Sequence, residues 1–416
     1  MLDVLRSILG DRAVAVPPGD PRYAPHPTPL VHAVPRTREE VAEVLRAASA
    51  DGFPVVPVGG NTAPSLGAAD DARPICLLST EMLDRVVAFD PADQTLTVEA
   101  GASLEAVRRL AAPHRLFPAL EAGRPERSTV GGALATAREG AWAARYGPAR
   151  DQLLGVVAAT GDGVVAKAGG RVVKNVTGYD LCRLYTGSRG ALAVLLEATL
   201  RLRPIPETAG RAAWAFAEEG DALAAGLALR DANVDASQVH VLSGSAARDL
   251  GAEGGALLVA TFQGFAAQVE DAGRRAEALL KRDAQVLPAE APPGPPAEAP
   301  ETAETLRITA PPASWRALGP RLRGVLAPPA GAIHDVLRGV RTTWRAEGAR
   351  LAASEAELDR ALAEARAHLD APWDPAFRRA LARFPSQIPG GLALMRRLKA
   401  EFDPRGVLNP GRTLFG

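Results

Sequence analysis

The apolar positions of the first 80 residues alternate between two periods. "LVHAVP" (30–35) and "FPVVPV" (53–58) are short apolar runs of strand character. Between them Val41, Val44, Leu45 and Ala48 recur at helical spacing, behind Thr37 and Glu40, which form a capping box in "TREE". A glycine loop, "GGNTAPSLGA" (59–68), follows the second strand, and a third apolar stretch, "RPICLL" (73–78), comes next. Strand, capped helix, strand and glycine loop predict a βαβ-type opening. Further on, "RVVAFD" and "QTLTVEA" flank Pro91-Ala92-Asp93 and predict a hairpin. "SLEAVRRLAA" (103–112) reads as a helix, and "STVGGALATA" (128–137) as a helix start with Ser128 as N-cap. Two glycines in that first turn cost helix stability relative to alanine. They make sense where something approaches the backbone closely. Residues 152–175 read as a meander, "QLLGVVAAT", "VVAKA" and "RVVKN", turned at Gly161-Asp162-Gly163 and at Gly169-Gly170. "ALAVLLEATLRL" (191–202) is one more strand, closed by "PIP" (204–206), where a domain boundary is expected.

The second half has a different texture. "AAWAFAE", "QVHVL" and "GALLVATF" read as strands, and 265–282 and 354–369 as helices. Residues 288–312 are dominated by Pro, Ala and Glu and predict a flexible loop or linker. The tail, "GGLALMRRLKAEFDPRGVLNPGR", reads as a short helix ended by Pro404, then two turns. No fixed-period repeat is present.

Composition narrows the field. A chain of 416 residues is too long for one ordinary core, so two or three domains are expected. A formal net charge of zero argues against a nucleic-acid or anionic-membrane partner held by bulk electrostatics. Only Cys76 and Cys182 are present, too few for a disulfide framework or for an iron–sulfur cluster, which needs about four thiolates. A reducing compartment is expected. The first residues lack a basic n-region and a long apolar h-region, so no signal peptide is expected. No run approaches a membrane span. Six histidines are scattered with none at a metal-ligand spacing, so no metal site is expected. No G-x-S-x-G elbow supports a serine hydrolase.

Three stretches are candidates for chemistry. "VPVGGNT" (56–62) places glycines directly after a strand, where successive N–H groups can form an anion-binding nest suited to a diphosphate. "STVGG" (128–132) is a second glycine site at a helix N-terminus, where the dipole favours negative charge. The alternatives are an ordinary glycine turn and close helix packing. Two such sites in one N-terminal domain suggest a long ligand with a diphosphate in its middle. The third, "GGRVVKNVTGYDLCRL" (169–184), gathers Lys174, Asn175, Tyr179 and Asp180 after a tight turn. Lys174, Asn175 and Tyr179 are candidates to orient a substrate carboxylate, with a structural role as the alternative.

"PVGGNT", "STVGGALATA", "YGPARDQLLGV", "GGRVVKNVTGYDLCRLYTGSRGALAVLLEATLRLRPIP" and "FDPRGVLNPGR" occur in this order. Together they resemble the FAD-binding, vanillyl-alcohol-oxidase-like (PCMH-type) oxidoreductases, and within them the FAD-binding subunit of bacterial glycolate oxidase. The resemblance is dense over about 30–206 and returns at 400–412. It implies an α+β fold in which two subdomains, about 1–85 and 86–206, clasp FAD. A cap domain, about 207–385, would cover the flavin ring, and the tail, 386–416, would return to the flavin domain. It further implies that Val58, Gly59, Gly60, Asn61 and Thr62, with Ser128, Thr129, Val130, Gly131 and Gly132, carry the diphosphate and nearby flavin contacts. Gly190 and Val194 would lie near the adenine end. No histidine follows the first glycine loop at a covalent-attachment position, so non-covalent FAD is expected.

Catalytic 2-hydroxy-acid dehydrogenases of this family carry an H-x-G-D-G-N type motif, which supplies metal and base. Nothing in 207–416 resembles it; "GAIHDV" (331–336) offers His334 alone. The resemblance therefore implies a protein that takes part in oxidising glycolate or another small 2-hydroxy acid beside a catalytic flavoprotein subunit and an iron–sulfur subunit. It would lie in the cytoplasm or at the inner membrane through those partners. A self-sufficient FAD dehydrogenase and an assembly subunit with a degraded flavin site remain as alternatives.

Overall fold

The computed structural model describes residues 1–17, 29–62, 73–137, 140, 142–171, 178–252, 255–287, 305–325, 331–337, 340–345, 355–370 and 391–411. The protein divides into two compact units, Met1–Ile205 with Gly390–Gly416, and Pro206–Pro389. Among the described residues no helix is long and apolar enough to cross a membrane.

The first unit opens with an amphipathic helix, α1 (Leu2–Leu9), that buries Leu5 and Leu9. Strand β1 (Ala13–Val16) then pairs antiparallel with β2 (Leu30–Ala33). Helix α2 (Arg38–Asp51) buries Val41, Ala42, Val44, Leu45 and Ala48 along one stripe. Thr37 caps it by accepting the Glu40 N–H, and Gly52 ends it in the left-handed conformation, which glycine adopts without steric penalty. The helix carries the backbone over to β3 (Val55–Val58), and β4 (Ile75–Ser79) then inserts between β2 and β3, parallel to both. All five residues of β4 are buried, as expected for a strand covered on two faces.

A second, antiparallel sheet follows. The hairpin β5 (Val86–Asp90) and β6 (Thr95–Glu99) leads to the sheet order β5-β6-β10-β8-β9, with β8 (Leu153–Thr160), β9 (Val165–Gly169) and the long β10 (Ala193–Pro204). The short β7 (Leu116–Pro118) pairs with the end of β10. Four helices pack around this sheet: α3 (Leu104–Ala111), α4 (Val130–Thr136), α5 (Ala143–Tyr146) and α6 (Leu181–Tyr185). The two sheets share one core. Val157, Ala159, Val194 and Leu196 of the second sheet cluster with Val55, Cys76 and Leu78 of the first, with Leu45 of α2, and with Val407 and Leu408 of the tail. Gly163 passes so close to α2 that a Cβ there would lie 2.4 Å from the Ala42 carbonyl.

The tail is held by a buried ion pair. Its helix, Leu392–Phe402, presents Lys399, whose ammonium donates to the carbonyls of Ala191 (2.8 Å) and Leu408 (2.7 Å) and to the Asp403 carboxylate. Asp403 also accepts the N–H groups of Val407 (3.0 Å) and Leu408 (2.8 Å). Every ammonium proton thus has an acceptor, which is the condition under which a buried charge is tolerated. Burial draws the Lys399 pKa down from its usual range, against the pull of Asp403.

The second unit is one antiparallel sheet in the order β14-β11-β13-β12-β16-β17-β15-β18. Its strands are β11 (Thr208–Phe216), β12 (Gln238–Gly244), β13 (Ala256–Gly264), β14 (Gln285–Leu287), β15 (Thr305–Ala310), β16 (Gly331–Asp335), β17 (Val340–Arg345) and β18 (His368–Asp370). The main core gathers residues of helices α7 (Glu219–Asp231), α9 (Ala266–Leu280), α10 (Pro312–Val325) and α11 (Glu355–Glu364) with sheet residues such as Trp214, Val239 and Leu258. A single turn, α8 (Ser245–Arg248), packs with Leu242 and Leu257 in a smaller cluster. Both units are α+β.

Two expectations are corrected. The Pro/Ala/Glu segment is not a loop to its end: 305–310 form β15, paired on both sides, and Pro312 starts α10, where a missing N–H is harmless. Residues 288–304 lie outside the described residues. The helix expected over 354–369 stops at Glu364, and His368–Asp370 turn into β18.

Glu40 ties the start of α2 to the neighbouring turn. It accepts two bonds from Arg12 (2.7 and 2.6 Å) and one from the Arg36 N–H (2.6 Å). The Arg12 bond above all lowers its pKa to about 2 from 4.5. A depressed carboxyl stabilises the fold above the unfolded pKa and loses that contribution as pH falls through the folded one. Urea midpoints taken from about pH 5 to about pH 2.5 should therefore fall more steeply for the native protein than for Glu40→Gln, which starts about 1 kcal/mol less stable at neutral pH. Parallel curves would remove Glu40 from this role.

Candidate functional site

Val58 ends β3, and its carbonyl accepts the Thr80 N–H at 2.9 Å. The backbone then passes through Gly59 and Gly60 against the segment before α4. A Cβ on Gly59 would lie 2.2 Å from Thr129 Oγ1, and one on Gly60 would lie 1.6 Å from the Arg127 carbonyl oxygen. Only glycine permits this approach. Arg127 Nη2 donates to the Gly60 carbonyl at 3.1 Å, and the hydroxyls of Thr62 and Ser128 are 3.0 Å apart. Asn61 takes a left-handed conformation, φ 50°, which asparagine tolerates better than most residues. Among the described residues the N–H groups of Gly59 and Gly60 have no hydrogen-bond partner. The two glycine sites, 66 residues apart, therefore form one place.

The second site differs from its expected form. The N-cap of α4 is Thr129, whose side chain accepts the Gly132 N–H at 3.1 Å, not Ser128. The N–H groups of Val130 and Gly131 go to the carbonyls of Ala102 (2.8 Å) and Ala100 (2.7 Å). A Cβ on Gly131 would lie 2.8 Å from Ala100 Cβ. The glycine inside the helix thus serves close packing against the turn after β6, and no row of free amides remains in this first turn. What 128–132 present beside Gly59 and Gly60 is the hydroxyl edge of Ser128 and Thr129.

A third loop closes the far end of the same unit. The N–H groups of Gly187 and Arg189 bond to Leu134 (3.0 Å) and Ala135 (2.8 Å) in α4. Gly190 has φ 69°, and a Cβ there would lie 2.9 Å from Asn409 Nδ2 and 3.2 Å from Pro57 Cγ. Asn409 donates from Nδ2 to the Arg189 carbonyl (2.5 Å) and from its N–H to the Val55 carbonyl (2.9 Å). Its side-chain oxygen is buried with no partner among the described residues. Val194 is buried in the shared core, so its side chain is structural.

Of the polar cluster that ends the hairpin meander, Tyr179 and Asp180 are not part of this site. Tyr179 is 94% exposed. Asp180 caps α6 by accepting the Arg183 N–H at 3.0 Å. Lys174 and Asn175 lie outside the described residues. Burial pushes the thiols up, Cys76 to about 12 and Cys182 to about 11, so neither is a thiolate nucleophile at neutral pH. Arg127, Lys399, Asp403 and Asn409 belong to no pattern that marks them in the sequence. The signal for the last two lies in "FDPRGVLNPGR", a signature that assigns no roles.

Residues 29–169 match the family described as the FAD binding domain, and 385–413 match the C-terminal domain of FAD linked oxidases. These two segments are similar to those of FAD-linked oxidoreductases. The chain is 39% identical over 180 residues to a D-2-hydroxyglutarate dehydrogenase of Xanthomonas citri pv. viticola, covering 43% of this chain and 38% of that one. It is 32% identical over 214 residues to a mitochondrial D-lactate dehydrogenase (cytochrome) of Arabidopsis thaliana, covering 51% and 37%. It is 30% identical over 189 residues to the glycolate oxidase subunit GlcD of Bacillus subtilis, covering 45% and 39%. The matches thus span less than two fifths of those relatives' own length. A solved alkyldihydroxyacetonephosphate synthase shares the fold, with a TM-score of 0.68 at 16% identity over 91% of this chain and 75% of that one.

Four substitutions check this geometry. Gly60→Ala should lower stability by about 1–3 kcal/mol by forcing the two loops apart, and should empty the protein of flavin during purification. Gly123→Ala, whose Cβ would meet nothing within 4 Å, should do neither. Lys399→Met leaves the Asp403 carboxylate buried and unpaired, and should lose about 3–5 kcal/mol in chemical denaturation. Adding Asp403→Asn should recover part of it, because the charge is gone and an acceptor for the Val407 amide remains. An unchanged single variant would refute the clasp.

Proposed function

We propose that this chain is the FAD-binding subunit of an oxidoreductase complex acting on a small 2-hydroxy acid, with glycolate the first candidate. The observation that carries the reading is the pair of unpartnered amides at Gly59 and Gly60, facing the hydroxyl edge of Ser128 and Thr129. Unpartnered N–H groups with neighbouring hydroxyls suit a diphosphate. Gly59, Gly60, Asn61, Thr62, Ser128 and Thr129 would hold it. The buried, unpartnered oxygen of Asn409 beside Gly190 would take a donor at the other end of the ligand. FAD, when bound, supplies a two-electron acceptor for the hydride of a hydroxyl-bearing carbon. Attachment would be non-covalent, since 56–62 contain no histidine.

The relatives' names, D-2-hydroxyglutarate, D-lactate and glycolate, are all 2-hydroxy acids, which supports the substrate class. The H-x-G-D-G-N motif is missing from 207–416, which supports a subunit that shares the reaction with a catalytic flavoprotein. Two cysteines cannot hold an iron–sulfur cluster, so electrons would leave through a cysteine-rich partner. Two reduced, buried thiols suit the cytoplasm.

The protein purified alone should show a flavin absorption spectrum. It should bleach slowly or not at all with glycolate, D-lactate or D-2-hydroxyglutarate under anaerobic conditions, and rapidly once the partner subunits are added. Fast bleaching alone would make it a self-sufficient dehydrogenase. A protein without flavin would leave only an assembly role.

A further inference from the structure

The sheet of the second unit has two unlike faces. Trp214, Val239, Val241, Leu258, Ala260 and Phe262 share the large core with the helices. The opposite face begins apolar, with Ala213, Leu242, Leu257 and Val259. Strand alternation continues that face with polar residues: Arg211 on β11, Thr261 and Gln263 on β13, Gln238 and His240 on β12, and Asp335 on β16. Register sets Arg211 opposite Thr261 and Thr261 opposite Gln238, so three strands contribute to one transverse row. His240 stands in the next row of that face, opposite Asp335.

Four of these residues are buried, Thr261 at 1%, Gln238 at 2%, Gln263 at 3% and His240 at 6% exposure, while Arg211 and Asp335 are half-buried. Their hydrogen bonding is incomplete in a consistent sense. Thr261 Oγ1 donates to Gln238 Oε1 at 3.4 Å, which engages the amide oxygen. Gln238 Nε2 and Arg211 Nε are buried and have no partner among the described residues. Both unpartnered atoms are donors, in one row, and one belongs to a cation with no acidic partner among the described residues. Buried polar groups are nearly always satisfied, and unmatched donors of one sign mark a place where an acceptor belongs.

We propose that Arg211 and Gln238 form a carboxylate-binding site on this sheet face, and that it takes the carboxylate of a small hydroxy acid, with His240 positioned to accept the hydrogen bond of the hydroxyl. A guanidinium presents its N–H groups in a fork that matches a planar carboxylate. Burial, helped by the Arg211 charge and opposed by Asp335, lowers the His240 pKa, so its imidazole is neutral at physiological pH and keeps an acceptor nitrogen. Asp335 stands on the strand beyond His240, on the side away from Arg211, so across the two adjacent rows the face runs from a cation to an anion and orients an acid whose charge is at one end. The choice of a hydroxy acid as ligand rests on the function proposed above; the carboxylate site itself rests on the second unit alone.

Calorimetric titration of the full flavin-loaded protein with D-lactate and glycolate tests it, with 1,2-propanediol and inorganic phosphate as the uncharged and tetrahedral controls. Arg211→Met should weaken carboxylate binding at least about tenfold and Arg211→Lys less, because a point charge replaces the fork. The flavin spectrum should not change in either. Gln238→Leu, which replaces a buried amide by an apolar group of similar size, should also weaken binding and serves if the arginine variant does not fold. In the native protein D-lactate should shift the ring resonances of His240, and propanediol should not. Unchanged affinity in both Arg211→Met and Gln238→Leu, an unmoved His240, or propanediol or phosphate binding as tightly as D-lactate would overturn the proposal. Flavin content measured in the same samples separates this failure from failure of the flavin reading.

Discussion

The architecture of the first unit depends on a contact that no side chain can enter. The backbone at Gly60 passes the Arg127 carbonyl so closely that a Cβ would sit 1.6 Å from the oxygen, and Gly59 meets Thr129 in the same way. This approach fixes the end of β3 against the start of α4, and so joins the first sheet to the second at the place where, among the described residues, the amides of Gly59 and Gly60 have no partner. The constraint is steric, not attractive. Hydrophobic burial beneath it supplies the stabilisation, through Val55, Leu78, Val157, Val194 and Leu408 in a single cluster drawn from both sheets and the tail.

The tail is the second support of the same place. Lys399 and Asp403 bond to each other and to four backbone groups, and this network presents Val407–Asn409 to the edge of β3. Val55 donates to the Val407 carbonyl at 2.7 Å, and its own carbonyl receives the Asn409 N–H at 2.9 Å. The strand that delivers Gly59 and Gly60 is therefore paired on one side by β4 and on the other by residues from the opposite end of the sequence. A mobile β3 would blur the position of every amide in the loop. A fully satisfied buried ion pair, with one arrangement of its bonds, is suited to hold a single register.

Much of this is legible in sequence wherever one residue type is forced by local geometry. Thr37 before a helical stripe and Pro91-Ala92-Asp93 between two alternating runs need no tertiary information. Sequence pattern fails where two local solutions are equally good. Ser128 and Thr129 can each cap a helix; Thr129 does so because Ser128 is engaged by Thr62. "TLRITA" (305–310) has strand alternation, but a Pro/Ala/Glu neighbourhood hides it, and pairing with β17 and β18 decides the outcome. The meeting of the two glycine loops and the role of Asn409 rest on contacts between residues 66 and 220 positions apart, for which a periodicity holds no signal.

The two proposed sites would recognise their ligands in different ways. In the first, the groups offered to a ligand are main-chain amides, so the requirement on sequence is glycine at a few positions and a packed core behind them. Family matches at 29–169 and 385–413 fall on these glycine- and tail-bearing segments. In the second, the unmatched donors are side chains of Arg211 and Gln238 on a sheet whose backbone is regular. Exchange of a residue there would keep the strand and alter the proposed site. The proposed flavin site thus rests on steric constraint, and the proposed carboxylate site on side chains that a regular strand can exchange. That division accords with similarity to proteins whose names are as different as D-lactate and D-2-hydroxyglutarate dehydrogenase.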